Sequence, residues 1–112
     1  MLEDEFASLD ELFAAGATFT LLAWAFTYVY VVCQALLPGS FAASAASGNP
    51  RTWMELLFLS FTTLSGVGLG DIVPVLPMAR ALVMIEEFTG VMYLAVVVSR
   101  LIALSVTTRR AR

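Results

Sequence analysis

The clearest chemistry in this sequence belongs to a stretch of backbone rather than to reactive side chains: Gly66-Val67-Gly68-Leu69-Gly70-Asp71. A dehydrated cation needs a cage of oxygen atoms in place of its water. Backbone carbonyls supply stacked rings of oxygens when the chain runs extended along a symmetry axis. Turning consecutive carbonyls the same way requires some residues at φ > 0, which glycine adopts without steric cost. Glycine alternating with an apolar residue therefore suits a pore lining whose side chains face outward into packing. The same letters could mark a nucleotide-binding turn, but no strand precedes them and no βαβ unit fits in 112 residues. With no His and one Cys, a zinc site of the Cys/His kind has no ligands. No nucleophile stands beside a base, and the acids have neither a histidine nor a metal partner, so no enzymatic activity, cofactor or nucleic-acid partner is expected.

Such a backbone run has to be held at membrane depth, and the flanking residues are suited to that. Thr52-Trp53-Met54-Glu55 has the S/T-x-x-E form of a capping box behind Pro50, so a helix is expected from about Trp53. Leu56 to Gly70 is 15 residues without a charge, too short to cross a bilayer and return as two spans. A short apolar helix followed by extended glycine-rich backbone is a re-entrant segment, stable only where protein or a water-filled pore satisfies its polar groups. One copy cannot enclose a pore, whereas several around an axis can.

Two longer segments flank this one. Leu12 to Leu37 is 26 residues without a formal charge, about 39 Å as a helix, against a hydrocarbon core of about 30 Å. A cleaved signal peptide fits poorly, because the leader is acidic (Glu3, Asp4, Glu5, Asp10, Glu11) and the apolar run is long. A second apolar segment, Ala81 to Val106, is interrupted by Glu86, Glu87 and Arg100, as expected of a helix that faces protein and pore rather than lipid. Pro38 to Asn49 is small and uncharged and reads as an outer loop. The chain is 60% hydrophobic and 13% charged with thirteen aromatic residues, which excludes both an ordinary soluble domain and a disordered one. Cys33, inside an apolar run, is expected to be a buried free thiol.

At these residues the sequence resembles the pore module of tetrameric potassium channels of the two-transmembrane bacterial type, over roughly Glu55 to Leu104. The family filter reads T-V-G-Y-G-D where this chain has Gly66-Val67-Gly68-Leu69-Gly70-Asp71. Phe58 to Ser65 resembles the family's pore helix running into its filter. Pro74 and Pro77-Met78-Ala79-Arg80-Ala81 resemble the outer turn of its inner helix, and Tyr93 to Leu101 the inner half of that helix. Gly90, 19 residues after Asp71, stands where such channels carry a hinge glycine.

The resemblance implies an all-α membrane homotetramer that passes monovalent cations, potassium above all. The ions would sit at Gly66, Val67, Gly68 and Leu69, with Gly70 completing the filter and Thr63, Ser65 and Asp71 supporting it. Two departures stand out. Gly66 lacks the family threonine's hydroxyl at the innermost ion site, and Leu69 keeps an apolar plug but loses a tyrosine's phenolic hydrogen bond. Asp71 is expected to anchor the outer mouth, and Phe58 occupies the place of its usual tryptophan partner.

Glu87, Val91, Leu94, Val98 and Ile102 form one helical stripe at i, i+4, i+7, i+11 and i+15. In the family this stripe faces the pore axis, which makes Val91, Leu94, Val98 and Ile102 cavity and gate linings and puts Glu87 against the pore helix. Adjacent on a helix, Glu86 and Glu87 point about 100° apart. The plain expectation for both is a buried carboxyl hydrogen-bonded to protein; the functional alternative is that one of them props the filter and makes conduction pH-sensitive. Gly90 is either a close-packing glycine or a hinge, and its position favours the hinge.

The expected organisation is one pore domain: an amphipathic leader over 1–11 lying on the membrane surface, outer helix 12–37, outer loop 38–52, pore helix 53–65, filter 66–71, inner helix 78–106 and basic tail 107–112. Arg109, Arg110 and Arg112 with Arg100, against Arg51 and Arg80, place both termini in the cytoplasm of a cell whose surface membrane the chain crosses twice. The alternatives are a non-selective monovalent cation channel, should Gly66 loosen the filter, and a non-conducting membrane scaffold or channel subunit. The residues up to Arg112 hold no nucleotide, calcium or voltage sensor, as expected of a pore module, whole or cut from a longer channel.

Overall fold

The first helix starts earlier than its charge-free run. A computed structural model describes the backbone over residues 2–43 and 49–111 and side chains over 9–43 and 49–106. In it α1 spans Leu2–Leu36 without a break. The expected surface helix over 1–11 is therefore continuous with the outer helix. No proline interrupts residues 2–36, and nothing lies within 4 Å of where a Cβ on Gly16 would project, so no stop signal separates the two stretches. The side chains of residues 1–8 and of the basic tail 107–112, and the loop residues 44–48, lie outside the described ones.

Pro38 and Gly39 end α1. Gly39 takes φ 83°, and Ser40 Oγ donates to the orphaned Leu37 carbonyl at 2.5 Å. The chain then forms β1 (Phe41–Ala43), paired antiparallel with β2 (Ile72–Pro74) in the register Phe41↔Pro74, Ala42↔Val73, Ala43↔Ile72. This ribbon replaces part of the expected loop, and Val75 N–H extends it to Ser40 O at 2.8 Å. Strands of three residues are too short for side-chain alternation to register in a sequence.

The short apolar helix expected over 53–65 is α2, Trp53–Leu64. Its capping box is complete, with Glu55 N–H donating to Thr52 Oγ1 at 3.2 Å and Thr52 N–H donating to Glu55 Oε1 at 3.0 Å. The Thr52 N–H, with its hydroxyl and the nearby Arg51, holds the Glu55 carboxyl below the usual carboxylate range. The inner helix, α3, runs Pro77–Ala111, with its proline in the first turn where no N–H is missed.

Leu9–Leu36 and Pro77–Val106 are long and apolar enough to cross a membrane, and only 22% and 17% of their most apolar windows are buried inside the protomer. A soluble core helix would be mostly covered; these faces call for lipid or further copies of the chain. The buried core lies where the three helices meet the ribbon: Tyr30 and Cys33 from α1, Leu56 and Leu59 from α2, Ala79 and Val83 from α3, and Phe41 and Ile72 from the strands. Cys33 is a buried free thiol, as expected.

Candidate functional site

Residues 66–70 leave the C-terminal end of α2 in an alternating conformation. Gly66 takes φ 80° and Gly68 φ 66°, while among the described residues none other than glycine has positive φ, so the sign alternates from Gly66 through Val67 and Gly68 to Leu69. A Cβ on Gly66 or Gly68 would meet nothing within 4 Å, so what glycine supplies here is backbone freedom rather than space. Three N–H groups of the run are drawn back to the end of the helix. Gly66 donates to Thr63 O at 3.2 Å, Gly68 to Thr62 O at 3.0 Å, and Val67 to Ser65 Oγ at 3.5 Å. Among the described residues no hydrogen bond ends on a carbonyl of Gly66 to Gly70, which leaves those oxygens open to a ligand. The negative end of the α2 macrodipole runs directly into this segment, an arrangement that favours cations.

The surrounding residues fall into place unequally. Thr63 is buried and Ser65, half-buried, also donates from its hydroxyl to Thr62 O at 3.2 Å, so both fasten the turn into residues 66–70. Val67 and Leu69 are each 68% exposed in the single protomer. Asp71 is exposed and makes no contact of its own to a polar group among the described residues; the Phe58 ring packs instead on Gly70, 3.5 Å from where a Cβ would stand.

The two adjacent acids separate as helix geometry requires, but in the opposite sense to the expectation. Within the protomer Glu86, not Glu87, reaches the pore helix: Glu86 is fully buried and Glu87 is exposed. The reason is the rotation of α3. Its protomer-facing stripe is Ala79, Val83, Glu86 and Gly90, continued by the half-buried Tyr93, Val97 and Leu101. The stripe of Glu87, Val91, Leu94, Val98 and Ile102 lies about 100° away. Val91, Leu94, Val98 and Ile102 are 63%, 39%, 52% and 59% exposed, an apolar face with nothing against it in one protomer.

Among the described glycines Gly90 has the closest neighbour. A Cβ there would fall 2.0 Å from the Leu64 carbonyl oxygen and 2.8 Å from its carbon, two residues before the filter segment begins. Tyr30 Oη donates to Glu86 Oε1 at 2.5 Å, and Ser60 Oγ, also fully buried, lies 2.5 Å from Glu86 Oε2 and 2.7 Å from Ala23 O. At the other end of α3, Arg100 forms a two-pronged ion pair with Glu11 of α1, both N···O distances 2.9 Å, and the Tyr93 hydroxyl bonds the Ala15 carbonyl.

Tyr30, Ser60, Tyr93 and the Glu11 partner of Arg100 escape a reading by motif. Their signal is that each is polar inside or beside an apolar run, where such groups are costly unless they bond to protein. The Glu11–Arg100 pair is solvent-accessible in the protomer and its sign is replaceable. Neutralising either residue is expected to loosen α3 from α1 at this end, with a lower melting temperature. The charge swap Glu11→Arg with Arg100→Glu is expected to recover part of it. Equal melting of all three variants and the parent would remove a role for the pair.

Among the described residues no group of three His, Cys, Asp or Glu side chains is placed to hold a metal ion. A family model described as "Ion channel" matches residues 16–106. The chain is 30% identical over 80 residues to a Paramagnetospirillum magnetotacticum protein named inward rectifier potassium channel Kirbac3.1, a match covering 69% of this chain and 27% of that one. The chain thus spans little more than a quarter of that relative's length. No solved structure matches it significantly.

Proposed function

Because the chain belongs to the ion-channel family, whose model covers 16–106, we propose that four copies surround a common axis and pass potassium passively through the backbone carbonyls of residues 66–70. The observation that carries this reading is the filter segment itself: φ of 80° and 66° at alternate glycines, with unbonded carbonyls directly after the end of a helix. Ions at Gly66, Val67, Gly68 and Leu69 would exchange water for these oxygens. Val67 and Leu69, exposed in one protomer, would pack into the ring of neighbouring subunits, and the bare stripe Val91, Leu94, Val98, Ile102 would line the cavity below. The chain then lies in the cell membrane with both termini on the cytoplasmic side, the side of the arginine tail. The potassium preference draws support from the named relative and from the filter resemblance.

Purified protein in liposomes under a potassium gradient is expected to show flux that barium blocks. Bi-ionic reversal potentials should favour potassium over sodium. Equal permeability would instead fit a non-selective cation channel, a reading favoured by Gly66, whose innermost ring lacks a hydroxyl and whose Cβ position is empty to 4 Å. Absence of flux from a verified tetramer would fit a non-conducting scaffold or subunit and overturn the conduction proposal.

A further inference from the structure

Glu86, Ser60 and Tyr30 are all fully buried, and with the Ala23 carbonyl they form a line of four oxygen-bearing groups across three helices. The line contains three close contacts: Tyr30 Oη to Glu86 Oε1 at 2.5 Å, Glu86 Oε2 to Ser60 Oγ at 2.5 Å, and Ser60 Oγ to Ala23 O at 2.7 Å. Each contact needs one proton between its oxygens, since two lone pairs facing each other in a buried site repel. The tyrosine and serine hydroxyls supply one proton each, and a carbonyl supplies none. Thr27 Oγ1 offers no substitute, because it donates separately to Ala23 O at 2.7 Å. Ser60 must give its proton to Ala23, which can only accept. The contact between Ser60 and Glu86 therefore takes its proton from the carboxyl.

We propose that Glu86 is a neutral carboxylic acid that accepts from Tyr30 and donates to Ser60, locking the outer, pore and inner helices into one joint behind the filter segment. The chain of donors runs in one direction, from Tyr30 through Glu86 and Ser60 to Ala23, and every member is satisfied. Among the described residues no cation pairs with Glu86. On α2 the one titratable residue is Glu55, bonded to Thr52 and Arg51 at the helix start. On α1 Cys33 lies one turn beyond Tyr30, and on α3 Glu87 is exposed while Arg80 lies six residues earlier and Arg100 pairs with Glu11. An ionised Glu86 would thus be a buried charge without an opposite one, the costliest arrangement an apolar interior offers. Glu86 acts as a positioning residue: it touches no ion, and it fixes Ser60, five residues before Ser65, where the filter turn is fastened.

Glutamine decides the matter, because its amide reproduces the neutral acid: the oxygen accepts from Tyr30 and the nitrogen donates to Ser60. In the purified full-length chain, Glu86→Gln is expected to melt with the parent, and Glu86→Ala and Ser60→Ala to melt lower. Infrared difference spectra of parent against Glu86→Gln should show the carbonyl stretch of a protonated carboxylic acid at neutral pH, shifted in deuterium oxide. As pH rises the parent is expected to lose stability once this proton is titrated, while Glu86→Gln stays flat through the same range. An ionised Glu86 reverses the pattern, since glutamine would then aim a donor at the Ser60 donor. A carboxylate band in place of the acid band, or Glu86→Gln melting as low as Glu86→Ala, overturns the proposal. If the alanine variants do not fold, the infrared band and the glutamine comparison still decide. None of these readouts depends on which ion the protein conducts.

Discussion

Replacing Gly90 with alanine is expected to be the most damaging single-methyl change in the chain. The added carbon would lie 2.0 Å from the Leu64 carbonyl oxygen, 2.8 Å from its carbon and 3.0 Å from its Cα, all backbone atoms of the pore helix. Overpacking against side chains costs about 1–3 kcal/mol because they can turn aside. Backbone cannot turn aside, so α3 has to move away from α2 as a unit and uncovers Glu86, one turn earlier on the same stripe. The expected result is loss of the folded assembly in detergent at temperatures where the parent survives, and loss of flux with it. Gly16→Ala is the control. It also places a methyl on a helix-interior glycine, but nothing lies within 4 Å, so it should be neutral or stabilise by about 0.5–1 kcal/mol. The comparison also separates the two roles open to Gly90. A glycine that serves only as a hinge would tolerate alanine in melting experiments and show its loss in opening alone; a spacer loses both together. Parental melting and flux in Gly90→Ala would refute the contact.

The same crossing shows which parts of the protein could be read from residue types. Both spans, the capped pore helix and the glycine alternation are visible in sequence because each follows from local chemistry: charge-free length, a Thr52–Glu55 reciprocal cap, and residues that tolerate positive φ. The rotation of α3 is not local. Glu86 and Glu87 are chemically identical neighbours, and only the stripe of small or inward residues, Ala79, Val83 and Gly90, tells which of them meets the pore helix. An apolar helix in a membrane hides this, because its lipid face is as hydrophobic as its protein face and the usual polar-to-apolar contrast disappears. The small residues carry the information instead, Gly90 above all, where a side chain would overlap Leu64. The ribbon of Phe41–Ala43 with Ile72–Pro74 is likewise a product of tertiary approach: α1 and α3 bring the two segments side by side, and three residues a side suffice once they are there.

Gly68→Ala is expected to abolish conduction while leaving the fold standing, the reverse of the balance at Gly90. No atom lies within 4 Å of a Cβ at this position, so the methyl meets no obstacle. The obstacle is the backbone, because φ of 66° places an L-residue in the left-handed region at about 1–2 kcal/mol. If four copies share the axis, the substitution enters four times, about 4–8 kcal/mol for each pore. At about 1.4 kcal/mol for each factor of ten, that suffices to depopulate the conducting arrangement by about 700-fold or more. The residue escapes the strain by rotating to negative φ, which breaks its N–H bond to Thr62 O, 3.0 Å in the parent, and turns a carbonyl out of the lining. Gly70→Ala should lose less, since Gly70 is not at positive φ and its added carbon would rest at an ordinary 3.5 Å from the Phe58 ring. D-alanine at position 68, introduced by chemical ligation, supplies the decisive comparison: it carries the same methyl as L-alanine and prefers positive φ. Flux restored by the D-residue and absent with the L-residue would mean that backbone handedness at Gly68 sets the lining. Flux at the parental level with L-alanine would mean that the carbonyls of residues 66–70 do not line the path of the ion.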